Sequence, residues 1–290
     1  MTGMRRGALL GAVLLAIGAC SSTTPARRAS PTVPSTTASP SPTAADFVRF
    51  AAVGDIGDGS ENEASVARAI LALHRQRPLG LLLLLGDVIY PNGDPVQMEK
   101  FRRPYAPLLA AVETKTTLGN HDIKTDRDAF MAAFGMPARY YTFTRGPAQF
   151  FAVDSSKGVI DGSQRAWLER ALQRSRARWK IVFMHVPVFS SGIHGNNAAL
   201  RSALQPLFDR YDVSLVLAGH DHDYERTTPI AGTVYVVSGG GCCPRSMGSQ
   251  SFTARAATGL NFIVVEAGPA SLHLEALGPS GQMLDRVTLT

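Results

Sequence analysis

The sequence predicts an α/β fold of four layers (α/β/β/α), with two sheets packed face to face and helices on the outside. Three observations predict it. Short apolar runs of strand length alternate with amphipathic, helix-length stretches from residue 47 to about residue 217. The run 79–85 is apolar except for Gly80, which marks a strand buried on both faces. Beyond residue 230 helical periodicity gives way to strand patterns alone, at 233–237, 262–266, 271–276 and 283–289.

The elements follow in order. Residues 47–53 form a strand that runs into Gly54-Asp55. Ser60 opens a helix, with Glu63 placed three residues on as the partner in a capping box, and this helix extends to about Arg77, before Pro78. The apolar strand 79–85 ends at Gly86-Asp87. Asp94-Pro95 supplies an N-cap and a first-turn proline for a helix to about Ala111. Residues 114–118 form a short strand ending at Gly119-Asn120. The second half repeats this logic. Residues 149–153 form a strand, and 163–175 a helix with Trp167, Leu168 and Leu172 on one side. Residues 179–184 form a strand ending at His185. A helix spans 197–211, where Pro206 is expected to kink or break it, and the strand 213–217 ends at Gly219-His220.

The chain of 290 residues divides into three regions. Residues 1–19 read as a secretory signal: Arg5 and Arg6, an apolar stretch over 8–17, then small residues. Ile17-Gly18-Ala19-Cys20 resembles a bacterial lipobox, whose cysteine is lipidated and becomes the new N-terminus. A plain secretory signal, giving a secreted protein, is the alternative. Residues 20–45 are rich in Ser, Thr, Pro and Ala without apolar periodicity, the composition of a disordered tether. Residues 46–290 are enough for one sizeable domain. The expected location is the outer face of the cytoplasmic membrane, held only by the lipid on Cys20. Of 29 Lys and Arg, four precede residue 46 and none of the 23 Asp and Glu does, so the domain carries a net charge of +2. Near neutrality gives no case for nucleic-acid binding. Apart from Cys20, the cysteines are the neighbours Cys242 and Cys243. In an oxidising compartment they could bond to each other, remain free thiols, or pair between molecules.

The candidate chemistry lies at the strand ends. Asp55, Asp87, Asn120, His185 and His220 each end a predicted strand, and glycine precedes four of them. In open α/β sheets ligands bind at the carboxyl ends of strands. These are hard oxygen and imidazole donors with no cysteine among them, a set suited to two metal ions bridged by one carboxylate. Five of the seven histidines fall in these motifs: His121, His185, His194, His220 and His222. His74 and His273 read as structural. Asp221 and Asp223 alternate with His220 and His222, so on an extended segment they face away from any metal, as supporting or solvated groups. Gly239-Gly240-Gly241 precedes Cys242-Cys243-Pro244 rather than a helix, and reads as a point of close backbone approach near the metals rather than a phosphate loop.

The series Gly54-Asp55, Gly86-Asp87-Val88-Ile89-Tyr90, Gly119-Asn120-His121-Asp122, His185 and Gly219-His220-Asp221-His222 resembles the calcineurin-like metallophosphoesterases, and within them the purple acid phosphatases. Most of that superfamily carries a histidine two residues after the first Asp, where this chain has Gly57. The purple acid phosphatases instead place a tyrosine three residues after the second Asp, where this chain has Tyr90. The resemblance implies the metallophosphoesterase sandwich, one metal held by Asp55, Tyr90 and His222, a second held by Asn120, His185 and His220, and Asp87 bridging them. A phenolate favours a trivalent ion, so Fe(III) is expected at the tyrosine site, with Zn, Fe(II) or Mn at the other. His121 and His194 match histidines expected to hold phosphate and protonate the leaving group. The implied activity is hydrolysis of small phosphomonoesters by a metal-activated hydroxide, with no phosphoenzyme. The alternatives are a phosphodiesterase of the same superfamily, acting on cyclic nucleotides or phospholipid headgroups, and a non-catalytic lipoprotein that binds metal or phosphate.

Overall fold

The computed structural model describes residues 47–290; the signal, the lipobox and the tether lie outside the described residues. Among the described residues there are thirteen strands and five α-helices, the ten strands and four helices that the sequence predicts and four further elements. One six-stranded sheet has the order β13-β12-β11-β1-β2-β3. Its parallel half is β1 (Val48–Val53), β2 (Leu81–Leu84) and, at the edge, β3 (Thr114–Thr116), and the antiparallel strands β11 (Phe262–Ala267), β12 (Leu272–Leu277) and β13 (Met283–Leu289) extend it beyond β1. The second sheet has seven strands in the order β10-β8-β9-β7-β6-β5-β4. Here β5 (Ala148–Ala152), β6 (Trp179–Phe183), β7 (Leu215–Ala218) and β9 (Val234–Ser238) run parallel. The antiparallel β4 (Tyr141–Arg145), β8 (Tyr224–Thr227) and β10 (Thr253–Ala257) complete it.

Side-chain alternation sorts these strands into layers. Phe50 and Ala52 of β1, Leu81 and Leu83 of β2, and Ile181 and Phe183 of β6 point between the sheets and build the central core. Phe50 meets Phe150 edge to face across it, with ring centroids 5.2 Å apart. The alternate residues Ala51, Val53, Leu82 and Leu84 pack outward, beneath α1 (Glu61–Gln76), α2 (Met98–Ala111) and α3 (Arg127–Ala133). Val182 and Met184 do the same beneath α4 (Gly162–Arg174) and α5 (Ala198–Arg210). The apolar run of β2 is thereby explained: every one of its side chains is buried, half on each face. Four layers result, α/β/β/α.

Some local expectations change. Ser60 caps α1 by accepting from the Glu63 N–H, but the return bond of a capping box is absent. Glu63 reaches the Gly59 N–H instead, because Asp58 already accepts from the Ser60 N–H. Asp94 caps a 3-10 turn, Pro95–Gln97, that precedes α2 rather than α2 itself. Pro206 does not break α5, which is continuous through it. Residues 121–148 yield α3 and β4, and β8 and β10 complete the second sheet; all four elements are short and only part-apolar. Among the described residues no helix is long and apolar enough to cross a membrane.

Candidate metal centre

The parallel strands of both sheets end at one side of the molecule, and the predicted donors follow them. Asp55 comes after β1, Asp87 after β2, Asn120 after β3, His185 after β6 and His220 after β7. Three of these residues, Asp55, Asp87 and His220, have positive φ (59°, 50° and 72°). Non-glycine residues rarely adopt that conformation, and it clusters where a site dictates backbone geometry. The glycines beside them allow ligand to approach ligand: a Cβ on Gly219 would stand 2.6 Å from Asp55 Oδ2.

Two donor sets meet at one carboxylate oxygen. In the first, the Tyr90 hydroxyl lies 3.1 Å from Asp55 Oδ1, 3.2 Å from Asp87 Oδ2 and 3.3 Å from His222 Nε2. His222 Nε2 is 3.4 Å from Asp55 Oδ1. In the second, His185 Nε2 lies 3.0 Å from Asn120 Oδ1, 3.2 Å from His220 Nδ1 and 3.4 Å from Asp87 Oδ2. Ligands about 2.0–2.2 Å from one ion stand roughly 2.8–3.6 Å from each other in octahedral or tetrahedral arrangements. Every one of these separations falls in that interval, so the donors fit an ion at the centre of each set, with Asp87 shared. The Asp55, Asp87 and His185 donors are all buried.

Backbone and side-chain partners aim the donors. The Leu85 carbonyl lies 2.9 Å from His185 Nδ1 and the Cys243 carbonyl 2.8 Å from His222 Nδ1. Each carbonyl can only accept, so each ring carries a proton on Nδ1 and turns its Nε2 toward the site. Asp55 Oδ2 accepts from the His220 N–H and Asp87 Oδ1 from the His121 N–H, both at 2.7 Å. Asp122, fully buried, accepts from the N–H groups of Val88, Ile89 and Gly119. It ties the Asp87 loop to the Asn120 loop.

Without metal the electrostatics of the cluster are strained. Burial, then the charges of Asp55 and Asp87, drive the Tyr90 phenol far above its ordinary range. Burial opposes charge on His185, but Asp87 and Asp55 outweigh it and raise the imidazole to about 10. Burial and then His185 push His220 down to about 4, leaving a neutral imidazole. A buried phenol pressed between two carboxylates is poorly placed as it stands, and a cation among the three offsets the repulsion.

His121 and His194 stand over the two halves. The His121 ring packs on Tyr90, centroids 4.6 Å apart, and the His194 ring on His220 at 4.2 Å. Both remain partly open to solvent, 28% and 40% of the side chain. Together with Asp87, Tyr90, Asn120, His220 and His222 they line a cavity of about 300 Å³. A larger cavity, about 710 Å³, is lined by Trp179, Lys180 and Val234 at the starts of β6 and β9, away from these groups.

A family model described as calcineurin-like phosphoesterase matches residues 48–224. The chain belongs to the calcineurin-like phosphoesterase family. Over 230 residues it is 27% identical to purple acid phosphatase 3 of Arabidopsis thaliana, covering 67% of this chain and 63% of that one. It is 27% identical over 224 residues to the Fe(3+)-Zn(2+) purple acid phosphatase 12 of the same plant, covering 68% and 47%. The chain therefore spans between about half and two thirds of the length of these relatives. A purple acid phosphatase from yellow lupin seeds shares the fold, with a TM-score of 0.76 at 21% identity over 84% of this chain and 54% of that one.

Several parts of this calcineurin-like phosphoesterase are not legible in the motifs. Asp221 does face away from the donors, but into protein rather than solvent. It is fully buried and accepts from His194 Nδ1 at 2.8 Å, from the His194 N–H and from the Ser190 hydroxyl. Asp223 is buried too, and burial followed by the charges of Asp221 and Glu225 raises it to about 8. Cys242 and Cys243 are joined by a disulfide. Gly239 makes the close approach expected of the glycine run: a Cβ there would stand 2.6 Å from Asp55 Oδ2. His74 accepts from the Leu79 N–H and His273 bonds Thr288, both remote from the site.

Proposed function

We propose that this protein hydrolyses phosphomonoesters at a binuclear metal centre outside the cytoplasmic membrane, tethered there by a lipid on Cys20. The observation that carries the reading is the shared oxygen: Asp87 Oδ2 lies within 3.2 Å of the Tyr90 hydroxyl and 3.4 Å of His185 Nε2, joining the two donor sets. Asp55, Tyr90 and His222 would hold Fe(III), for which a phenolate is a strong donor; Asn120, His185 and His220 would hold Zn, Fe(II) or Mn. When bound, such a pair of ions supplies an acidified water and Lewis-acid contacts to the phosphoryl oxygens. The chain's own residues do the rest. Asp122 and the Leu85 carbonyl fix the donors before substrate arrives. His121 and His194, over the two halves of the cavity, hold the phosphate and hand a proton to the departing oxygen. Asp221 fixes the His194 ring for that task.

The test compares turnover of 4-nitrophenyl phosphate with that of bis(4-nitrophenyl) phosphate by metal-loaded protein. The monoester is expected to be the better substrate, and a strong preference for the diester would overturn the choice. Tyrosinate on Fe(III) should give a visible charge-transfer band that Tyr90→Phe abolishes. A colourless and fully active protein holding two zinc or manganese ions would refute the iron assignment.

A further inference from the structure

We infer that Arg245 is a specificity residue, binding a second anionic group carried by the leaving-group alcohol of the substrate. The inference rests on the phosphomonoesterase reading above.

Arg245 follows the disulfide-bonded pair Cys242-Cys243 and lines the same cavity as Tyr90, His194 and His222. Its backbone is pinned to the site. The Arg245 N–H donates to the His222 carbonyl at 2.8 Å, and two residues earlier the Cys243 carbonyl accepts from His222 Nδ1 at the same distance. The backbone that carries the guanidinium is therefore held at a fixed point on the cavity wall. It takes part in no ion pair found among the described residues, unlike Arg49, Arg77, Arg139 and Arg226, each paired with a carboxylate. Asp58, which lines the same wall, is already engaged by the Ser60 N–H and lies 3.3 Å from Cys243 Sγ.

Depth decides what the guanidinium meets. Asp55, Asp87, His185 and His222 are buried, with Asp87 2% and His222 6% exposed, and Tyr90, Asn120 and His220 are half-buried, whereas Arg245 is exposed at the mouth. A phosphoryl group held against the donors and the two histidines leaves its ester oxygen pointing outward, toward Arg245. Guanidinium binds carboxylate and phosphate through paired N–H donors. The cavity, about 300 Å³, is at the lower limit for small-molecule sites. It suits a phosphate with a leaving group of a few atoms. The substrate class is thus a small phosphorylated hydroxy acid or a small bisphosphate.

A two-carbon series tests this: 2-hydroxyethyl phosphate, phosphoglycolate and ethylene glycol bisphosphate, which differ in whether the alcohol carries no charge, a carboxylate or a phosphate. The wild type should favour the two anionic esters in kcat/KM, chiefly through KM. Arg245→Met, which keeps the apolar stem, should cut that preference about tenfold, the scale of one charge-assisted hydrogen bond, and Arg245→Lys should restore part of it. A preference limited to phosphoglycolate or to the bisphosphate would say which anion the mouth accepts. Equal losses on all three esters, or an unchanged preference, would overturn the inference. Binding of 3-phosphonopropionate against propylphosphonate, followed by calorimetry, reads the same contrast without turnover. If no ester is hydrolysed yet Arg245→Met still weakens 3-phosphonopropionate selectively, the phosphatase reading fails and the anion site stands. If no such selectivity is seen, the anion site fails.

Discussion

Gly57 and Tyr90 are linked by a hydrogen bond, from the Tyr90 N–H to the Gly57 carbonyl at 3.3 Å. In the sequence they appear as an absence and its compensation, a missing histidine and a supplied phenol. The structure adds a reason why Gly57 carries no side chain at all. Its φ is +85°, and a Cβ there would stand 1.8 Å from the Val88 carbonyl oxygen. The loop that delivers Tyr90 occupies the space a histidine would need. The donors were legible because each sits at a strand end or a few residues beyond one, in a distinctive short motif. Their supports were not, because the hydrogen bonds that Asp122 accepts from the Asp87 loop and that the Cys243 carbonyl accepts from His222 join residues far apart in the chain. Gly57→Ala should cost stability by two routes, the left-handed backbone and the collision with Val88. Gly135 also has positive φ, +59°, with nothing within 4 Å of its would-be Cβ, so Gly135→Ala isolates the first route. A residue forced into this region costs roughly 1–3 kcal/mol. A domain of this size loses about 2–4 °C of melting temperature per kcal/mol. Gly57→Ala should melt lower than Gly135→Ala, and only Gly57→Ala should lose bound metal on elemental analysis. Equal melting and equal metal content in the two variants would refute this account of the loop.

At the scale of elements, the strongly apolar strands and the long capped helices follow the periodicity closely. The misses are α3, β4 and β10, whose exposed residues and short lengths leave little pattern to read, and β8, which is only four residues long and buries the polar Glu225 and Thr227. The start of α1 is different: the capping residue is right but its partnership is not. Glu63 is fully buried, with one oxygen accepting from Gly59 and the other without a partner among the described residues. Burial is the main reason its carboxyl is raised from about 4.5 to about 7, with the charge of Asp58 adding to it. The folded protein therefore keeps a proton that the unfolded chain releases between those values. The stabilising contribution is complete below about pH 4.5 and is lost as pH rises through about 7. Glu63→Gln can keep the bond to the Gly59 N–H through its amide oxygen and cannot ionise. Relative to the wild type, it should gain stability as the pH is raised from 5 to 8. Urea denaturation at the two pH values measures the difference; a gap that shrinks or stays constant would contradict a buried, proton-holding Glu63.

The whole molecule is two sheets that share a core and converge at one end on a single constellation. Asp55, Asp87, Tyr90 and Asn120 are delivered by the six-stranded sheet; His185, His220 and His222 by the seven-stranded one. Each donor set draws on both sheets. Even without metal the sheets are tied there, through the His220 N–H on Asp55 and the His185 ring on the Leu85 carbonyl. Ions bound at Asp87 would add a second, stronger tie across the same seam. A ligand that binds only the folded state at 1,000 times its Kd contributes about 4.1 kcal/mol. By the same conversion, stripping one such ion should lower the melting temperature by about 8–16 °C. The loss should be local before it is global. Amide exchange should speed up first in the loops carrying Asp55, Asp87 and His220, while the amides of β1, β2, β6 and β7 stay protected by the central core. Re-addition of metal should restore both readings. A chelated protein, shown by elemental analysis to be metal-free, that melted within a degree of the loaded form would mean that the seam is held by the core and the direct hydrogen bonds alone.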